Sequence, residues 1–530
     1  MLFMIKTIHY IFLSLLLLGC KNNSNEIVAD DSLIKDSTTQ EVVRPLLPEH
    51  IETLKDSIKI YYSKLNNYEI WYSLKNRTEL INEIKNCYKD GLNPNDYNLK
   101  AILDLEEKRK KLDDEAIIKY DILLTESFEK LSLHLYRGKL NPKKLYKDWD
   151  LNPKPIALST YLEKGIKNKT ISTTFDELKP KHYVYTKIKE SLVVIDKYPD
   201  YKLGKIDIKN KIQLHDTINE IIAIKKTLAY WKDYTRKDSI TTAVYDTITF
   251  IAVKKFQSRH GLKPDGVIGK GTIQALNFTK EQRKQQIIAN LERWKWFPED
   301  LGKQYLLVNL PNYNIVYVSK NDTIAEHNIV VGTPKRNTPI LISKLSNLVF
   351  NPTWTVPPTI IKEDLTPSAK KNLDYFTRTR MTIYDSTGTV VAPEEWDSDN
   401  SKSYRYVQVS GYNNSLGLVK FNFPNRHSVY LHDTNHRDYF SREYRALSSG
   451  CVRVENPLIL AEKILFNQDE GWSTKEIDSL ISKKNIKTIP VKNNINVYLL
   501  YWTNWLDKDG LQFREDIYNL DKNLYTALRN

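Results

Sequence analysis

Apolar positions from about residue 48 to 215 recur at helical spacing. Leu123, Leu124, Phe128, Leu131 and Leu135 fall on one stripe of a 3.6-residue helix. Gly91-Leu92-Asn93-Pro94 and Gly138-Lys139-Leu140-Asn141-Pro142 break the pattern, so residues 48–215 are predicted as a helical scaffold of several helices. A smaller unit follows at 216–278. There Asp246 is placed to cap a helix burying Ile248, Ile251, Ala252 and Phe256, and Gly261 suits its C-terminal stop. Asp265-Gly266 is a turn, and a further helix opens at Gly269-Lys270-Gly271-Thr272. Thr279-Lys280-Glu281-Gln282 has the form of a capping box. It starts a connecting helix within 279–300, with Ile287, Leu291 and Trp294 on one face and an end near Pro298.

From Tyr305 the period becomes strand-like. Residues 305–310, 315–318, 329–331, 407–409, 418–423 and 428–432 are short runs rich in β-branched and aromatic residues. Many short strands separated by turns predict a mainly antiparallel β domain over 301–490. Its polar stretch at about 357–405, with Pro357-Pro358 and Trp396, reads as a long capping-loop insertion over a site. Residues 491–530 are expected as a C-terminal extension packing on the body formed by this β domain and the helical scaffold. The fold class is multidomain α+β.

The N-terminus bears on location. Lys6 precedes an apolar stretch from Ile8 to Leu18 that is shorter than the about 20 residues a spanning helix needs. Leu17-Leu18-Gly19-Cys20 resembles a bacterial lipobox, in which Cys20 is acylated and residues 1–20 are a signal peptide. Polar residues 21–47 then form a flexible tether reaching roughly 30 Å. Lys21 carries no aspartate signal for inner-membrane retention, which favours an outer-membrane anchor and a body in the periplasm.

Composition adds less. The chain has 530 residues, 41% hydrophobic and 27% charged, which excludes disorder throughout. A net charge of +14 leaves two readings open, an anionic partner or a solvated lysine-rich surface. Nucleic acid is disfavoured by export. The three cysteines form no CxxC pair, so neither a thiolate zinc site nor a disulfide framework is implied. Cys87, with no histidine or acid motif around it, reads as a buried structural thiol.

The chemistry gathers on Cys451 and His432. Cys451 lies in Ser448-Ser449-Gly450-Cys451-Val452-Arg453, and His432 ends the run Val429-Tyr430-Leu431-His432, 19 residues earlier. Acyl transfer by cysteine needs a thiolate, and an imidazole can take the thiol proton. Gly450 lets backbone approach a substrate, backbone N–H groups of the turn around Ser449 and Gly450 are natural oxyanion donors, and Arg453 suits a carboxylate or developing negative charge. Taken singly, Cys451 reads rather as a small buried residue and His432 as a satisfied strand-end histidine; together, with a glycine before the cysteine and an export signal, they read as a catalytic pair.

Several segments carry a family resemblance. They include Gly91-Leu92-Asn93-Pro94; the string from Ala252 to Asn277; Val330-Val331-Gly332-Thr333-Pro334; Asn351-Pro352-Thr353-Trp354; Tyr430-Leu431-His432-Asp433-Thr434; and Ser448 to Val454. With these the chain resembles the L,D-transpeptidases with a YkuD catalytic domain, in their large YcbB-like branch. That branch has a helical scaffold and an inserted three-helix peptidoglycan-binding module. The resemblance implies Cys451 as nucleophile, His432 as proton partner and Arg453 as the motif arginine near the site. Tyr430 and Trp354 are candidates for the substrate groove, with aromatic core as the alternative. Ser449 stands where the family's usual Ser-His-Gly-Cys motif has histidine. Implied partners are peptidoglycan stem peptides and glycan, with a membrane reached through the lipid anchor and no cofactor or metal. A monomer that forms 3→3 cross-links and is acylated by carbapenems is expected. An L,D-carboxypeptidase, a wall-to-protein attachment enzyme and a non-catalytic wall-binding lipoprotein stay open as alternatives.

Overall fold

The computed structural model describes residues 43–530, apart from 147, 148, 150, 202, 203, 237–239, 469 and 470. The lipobox-like Cys20 and most of the proposed tether lie outside the described residues. Among the described residues no helix is long and apolar enough to cross a membrane.

The helical part is built around the 24-residue helix Asp114–Arg137. Asp113 caps it by accepting the Ala116 N–H at 2.8 Å, and Gly138 ends it at φ +83°. Its stripe of Leu124, Phe128, Leu131 and Leu135 is buried against Tyr62, Trp71, Leu80 and Phe175 in a core of its own. Inside that core Asp121 accepts from Tyr62 Oη at 2.7 Å and from the Trp71 N–H at 2.6 Å. Burial pushes its carboxyl up to about 7. Cys87 is packed in the same core, with its thiol pushed up to about 12 by burial.

A second, larger core joins the helix Tyr183–Asp196, the module around residues 206–276, the helix Lys280–Lys295 and the β domain. In the module Asp246 caps the helix Thr247–Arg259 through the Thr249 N–H, and Gly261 stops it at φ +66°. Ala252 and Phe256 are buried as expected, but Ile251 is 61% exposed. The helix buries Thr249, Val253 and Gln257 instead, because its hydrophobic pattern is weak and the Gln257 amide closes the Asp265-Gly266 turn. Thr279 and Gln282 form the expected capping box on Lys280–Lys295.

The strands, in chain order, are β1 Gln304–Asn309, β2 Asn314–Ser319, β3 Asp322–Gly332, β4 Leu341–Lys344, β5 Asn347–Phe350, β6 Trp354–Thr355, β7 Met381–Tyr384, β8 Val390–Val391 and β9 Arg405–Gln408. They continue with β10 Val419–Asn422, β11 Leu431–His432, β12 Ala446–Ser448, β13 Val452–Val454, β14 Lys487–Pro490, β15 Asn496–Leu500, β16 Asn504–Asp507 and β17 Gly510–Phe513. The main sheet has the order β14-β5-β10-β11-β13-β3-β2-β1-β15-β4, with β12 also on β3. The long β3 joins its two halves. The first half of β3 pairs with β2, and its last residues pair with β13 and β12. Most pairings are antiparallel, but β11–β13, β12–β3 and β1–β15 are parallel. The C-terminal residues thus supply β15, an interior strand between β1 and β4.

Residues 354–408 are folded rather than a bare loop. They hold the sheet β6-β9-β7-β8 and a separate apolar cluster of Val356, Ile361, Leu365, Phe376, Trp396 and Tyr406. Trp396 Nε1 donates to Tyr406 Oη at 2.7 Å, so the indole is satisfied within this cap.

Candidate active site

Strand register puts the candidate residues together. On parallel β11 and β13, Leu431 pairs with Val452 and His432 with Arg453. The Val452 N–H also donates to the Tyr430 carbonyl at 3.1 Å, so the parallel pairing extends back to Tyr430 and Cys451. Side chains alternate along a strand, so Tyr430, His432, Cys451 and Arg453 share one face. Leu431, Val452 and Val454 occupy the other and are fully buried. On the next strand Lys420 lies opposite His432 and therefore joins the same face.

This face floors a cleft of about 630 Å³, lined also by Trp354, Ser449 and Gly450. Its roof comes from the cap, through Pro357, Thr359, Ile360 and Asp364. Of the candidate site residues, Trp354, Tyr430, His432, Ser449, Gly450, Cys451 and Arg453 all line this one cleft, and Cys20 lies outside the described residues.

His432 is buried, and its Nδ1 faces the Asp433 carbonyl in a short hydrogen bond. A carbonyl only accepts, so Nδ1 carries the proton and Nε2 is left with its lone pair. Burial, reinforced by the charges of Arg453 and Lys420, lowers the imidazole to about 3 against the pull of that carbonyl. The ring is neutral at ordinary pH. Asp433 is itself fixed: its Oδ2 accepts the Leu418 N–H at 2.8 Å and Arg437 Nη2 at 2.6 Å.

Cys451 is half-buried, with Sγ 3.9 Å from the Ser428 carbonyl. Burial raises its thiol, while hydrogen bonds from Tyr430 and the charges of Lys420 and Arg453 pull the other way. The Tyr430 hydroxyl is raised by burial and by the neighbouring Cys451, and it also accepts a hydrogen bond from Trp354. Tyr430 packs edge-on to His432 with ring centres 5.5 Å apart, and Lys420 Nζ sits 4.0 Å from its ring centre. Arg453 holds Nε and Nη1 buried without a hydrogen-bond partner among the described residues. One face of the cleft thus carries a thiol, a neutral imidazole and the two cations Lys420 and Arg453.

The Gly450 turn is held from behind. Gly450 has φ +115°, a conformation that side-chain-bearing residues rarely adopt. Its N–H donates to Ser448 Oγ at 3.1 Å and its carbonyl accepts from Thr338 Oγ1 at 2.8 Å, so its own polar groups are committed. Thr338 Oγ1 also accepts the Gly332 N–H at 2.9 Å, and Tyr518 Oη donates to the Gly332 carbonyl at 2.8 Å. Ser449 is exposed and accepts from Arg336 Nη1 at 2.9 Å. The same guanidinium reaches the cap, at 2.6 Å from Asp364 and 2.5 Å from Glu363. Sequence reading assigned no site role to Lys420, Arg336, Thr338 or Tyr518, although Lys420, Thr338 and Tyr518 lie in segments that carry the family resemblance; Lys420 also alternates with the buried Val419 and Phe421, which puts it on the opposite face of the strand.

Comparison with known proteins bears on three stretches. Residues 56–192 match the family model described as "Scaffold domain", 217–276 that described as "Putative peptidoglycan binding domain", and 303–477 that described as "L,D-transpeptidase catalytic domain". A Haemophilus influenzae protein named "Putative L,D-transpeptidase" is 37% identical over 246 residues, 46% of this chain and 49% of that protein. The chain thus spans about half the length of this relative. An L,D-transpeptidase structure from Xylanimonas cellulosilytica matches at 14% identity, covering 56% of this chain and 99% of that one, with a TM-score of 0.19. One from Stackebrandtia nassauensis matches at 13%, covering 55% and 94%, with a TM-score of 0.21.

Proposed function

We propose that this chain, which carries a YkuD-type L,D-transpeptidase catalytic domain together with a scaffold domain and a peptidoglycan-binding domain, forms 3→3 cross-links in peptidoglycan through a Cys451 acyl-enzyme. The observation that carries the reading is the shared face of β11 and β13, where the neutral His432 and the Cys451 thiol line one cleft. His432 Nε2 takes the thiol proton as Sγ attacks the carbonyl between the diamino acid and the terminal D-alanine of a tetrapeptide stem. The C–N bond breaks, the imidazolium returns its proton to the leaving amine, and D-alanine departs. The side-chain amine of a neighbouring stem then attacks the thioester, passes a proton to His432 and expels the Cys451 thiolate. Arg453, with its unpartnered nitrogens, is assigned to a substrate carboxylate or the developing oxyanion. Tyr430 and Trp354 line the groove at the thiol.

Acylation at Cys20 would hold the enzyme in the cell envelope, on the outer membrane, with its body in the periplasm. The envelope assignment is supported by two wall-related domains.

Muropeptides from cells expressing the protein and a Cys451→Ala variant test the reading by mass spectrometry. Diamino acid–diamino acid cross-links are expected only with Cys451. Equal levels in both would overturn the proposal, and tripeptides rising without cross-links would make the enzyme a carboxypeptidase.

A further inference from the structure

A second cavity of about 370 Å³ opens between the peptidoglycan-binding module and the C-terminal segment of the catalytic body. Two guanidiniums line it. Arg283 is buried between the rings of Phe278 and Phe513, 4.2 and 4.4 Å from their centres, and donates to Gln286 Oε1 at 3.0 Å and to the Ala275 carbonyl at 3.2 Å. Arg514 donates to Asn312 Oδ1 at 2.6 Å and to the carbonyls of Arg259 and Phe513 at 3.1 and 2.8 Å. Every one of these acceptors is neutral. Among the described residues neither guanidinium has a carboxylate within 4.0 Å, whereas the buried Arg259 and Arg293 nearby each have one, Asp233 and Asp521.

Buried charges are ordinarily paired, because an uncompensated one is costly to take out of water. That cost is visible here: burial, with the charge of Arg259, lowers Arg283 to about 9, and burial lowers Arg514 to about 10 against the more distant pull of Asp507. The acids on the same cavity do not supply the missing charge. Asp521 is paired with Arg293 at 2.9 Å, and Asp516 accepts from Tyr501 Oη at 2.6 Å and from the Leu520 and Asp521 N–H groups at 2.8 Å. Glu515 and Lys522 are exposed at the rim, and Gln274 offers an exposed amide beside them.

We propose that this cavity binds the free carboxylate of a peptidoglycan stem peptide, Arg283 and Arg514 supplying the charge and Gln274 an amide contact to the peptide. The wall would then be gripped at the junction of module and body, apart from Cys451. This rests on the reading of peptidoglycan as the partner.

Hydrogen exchange on the full Cys451→Ala protein separates the two sites. With a disaccharide-tetrapeptide, exchange should slow in residues 271–286 and 511–522 as well as in the cleft at 428–453. The same muropeptide with amidated carboxylates should lose the first protection at least tenfold in midpoint concentration. Gln274→Glu, a surface change that adds a repelling charge, should weaken it at least fivefold and leave 428–453 unaltered. Arg283→Gln should abolish it, with folding checked by unchanged exchange in residues 114–137. Equal protection by the amidated muropeptide, or none at 271–286 with either probe, overturns the proposal and leaves the two arginines as structural pins. Protection at 271–286 without protection at 428–453 would instead count against the catalytic reading while supporting this site.

Discussion

The role proposed for His432 needs a neutral imidazole, and burial keeps it so. With the imidazole lowered to about 3, kcat/KM should stay level between pH 7.5 and 5, because protonation removes the base only below that range. A pH–rate profile on a soluble stem peptide, with activity checked after return to pH 7, measures this. A half-loss near pH 6.5 would mean an ordinary solvated histidine. Tyr430 offers a second test. It helps pull the Cys451 thiol down against burial, so Tyr430→Phe should lower kcat/KM by about 10-fold, as the loss of roughly 1.5 kcal/mol would. Cys451 and His432 stand out in the sequence as site candidates because their motifs are local. The Asp433 carbonyl that orients His432 could not, since backbone geometry has no sequence signature. Thr338, 112 residues from Gly450, meets it only through the pairing of β3 with β12.

At the level of elements, the Ser449-Gly450 turn is braced from two sides of different strength. Thr338 lies inside, joining the end of β3 to the Gly450 turn, and both of its partners are buried. Thr338→Val keeps its volume and removes the hydroxyl, leaving a buried N–H and a buried carbonyl short of a partner. A loss of about 2–4 kcal/mol is expected in chemical denaturation, with a fall in kcat as the turn loosens. Arg336 lies outside, tying the Ser449 turn to Glu363 and Asp364 of the cap, whose side chains are about half exposed. Exposed pairs contribute little, at most about 1 kcal/mol. Arg336→Ala should leave the melting temperature within about 2 °C while hydrogen exchange in residues 356–366 speeds up. Unchanged exchange there would show that the cap is held by other contacts. The sequence announced this cap as an insertion through Pro357-Pro358 and its polarity. Its own core was harder to see, because Ile361, Leu365, Phe376 and Tyr406 are too scattered to show a period. Ile251 erred the other way: an apolar residue at a helical spacing, yet on the solvent side of a helix whose Gln257 is buried for its amide bonds.

Across the whole molecule, the helix Lys280–Lys295 is where scaffold, module and catalytic body meet. Its sequence shows one apolar face, yet the polar residues are buried too, for each serves a different neighbour. Lys295 donates to the Asp90 carbonyl at 2.8 Å and Glu292 accepts the Leu140 N–H at 2.8 Å, both in the scaffold. Asn290 donates to Thr503 Oγ1 at 2.8 Å and Arg293 pairs with Asp521 at 2.9 Å, both in the C-terminal segment. Those partners lie 150 to 230 residues away, so no local pattern could disclose them, and a helix so polar reads as solvated. The pair gives a prediction on how the parts are coupled. Arg293→Met strands the Asp521 carboxylate in the interior and should cost about 3–5 kcal/mol in urea unfolding. Adding Asp521→Leu removes the stranded charge, so the double variant should regain most of that loss. If the double variant is as unstable as Arg293→Met alone, the damage lies in packing around the helix, and the ion pair is not what couples the C-terminal segment to it.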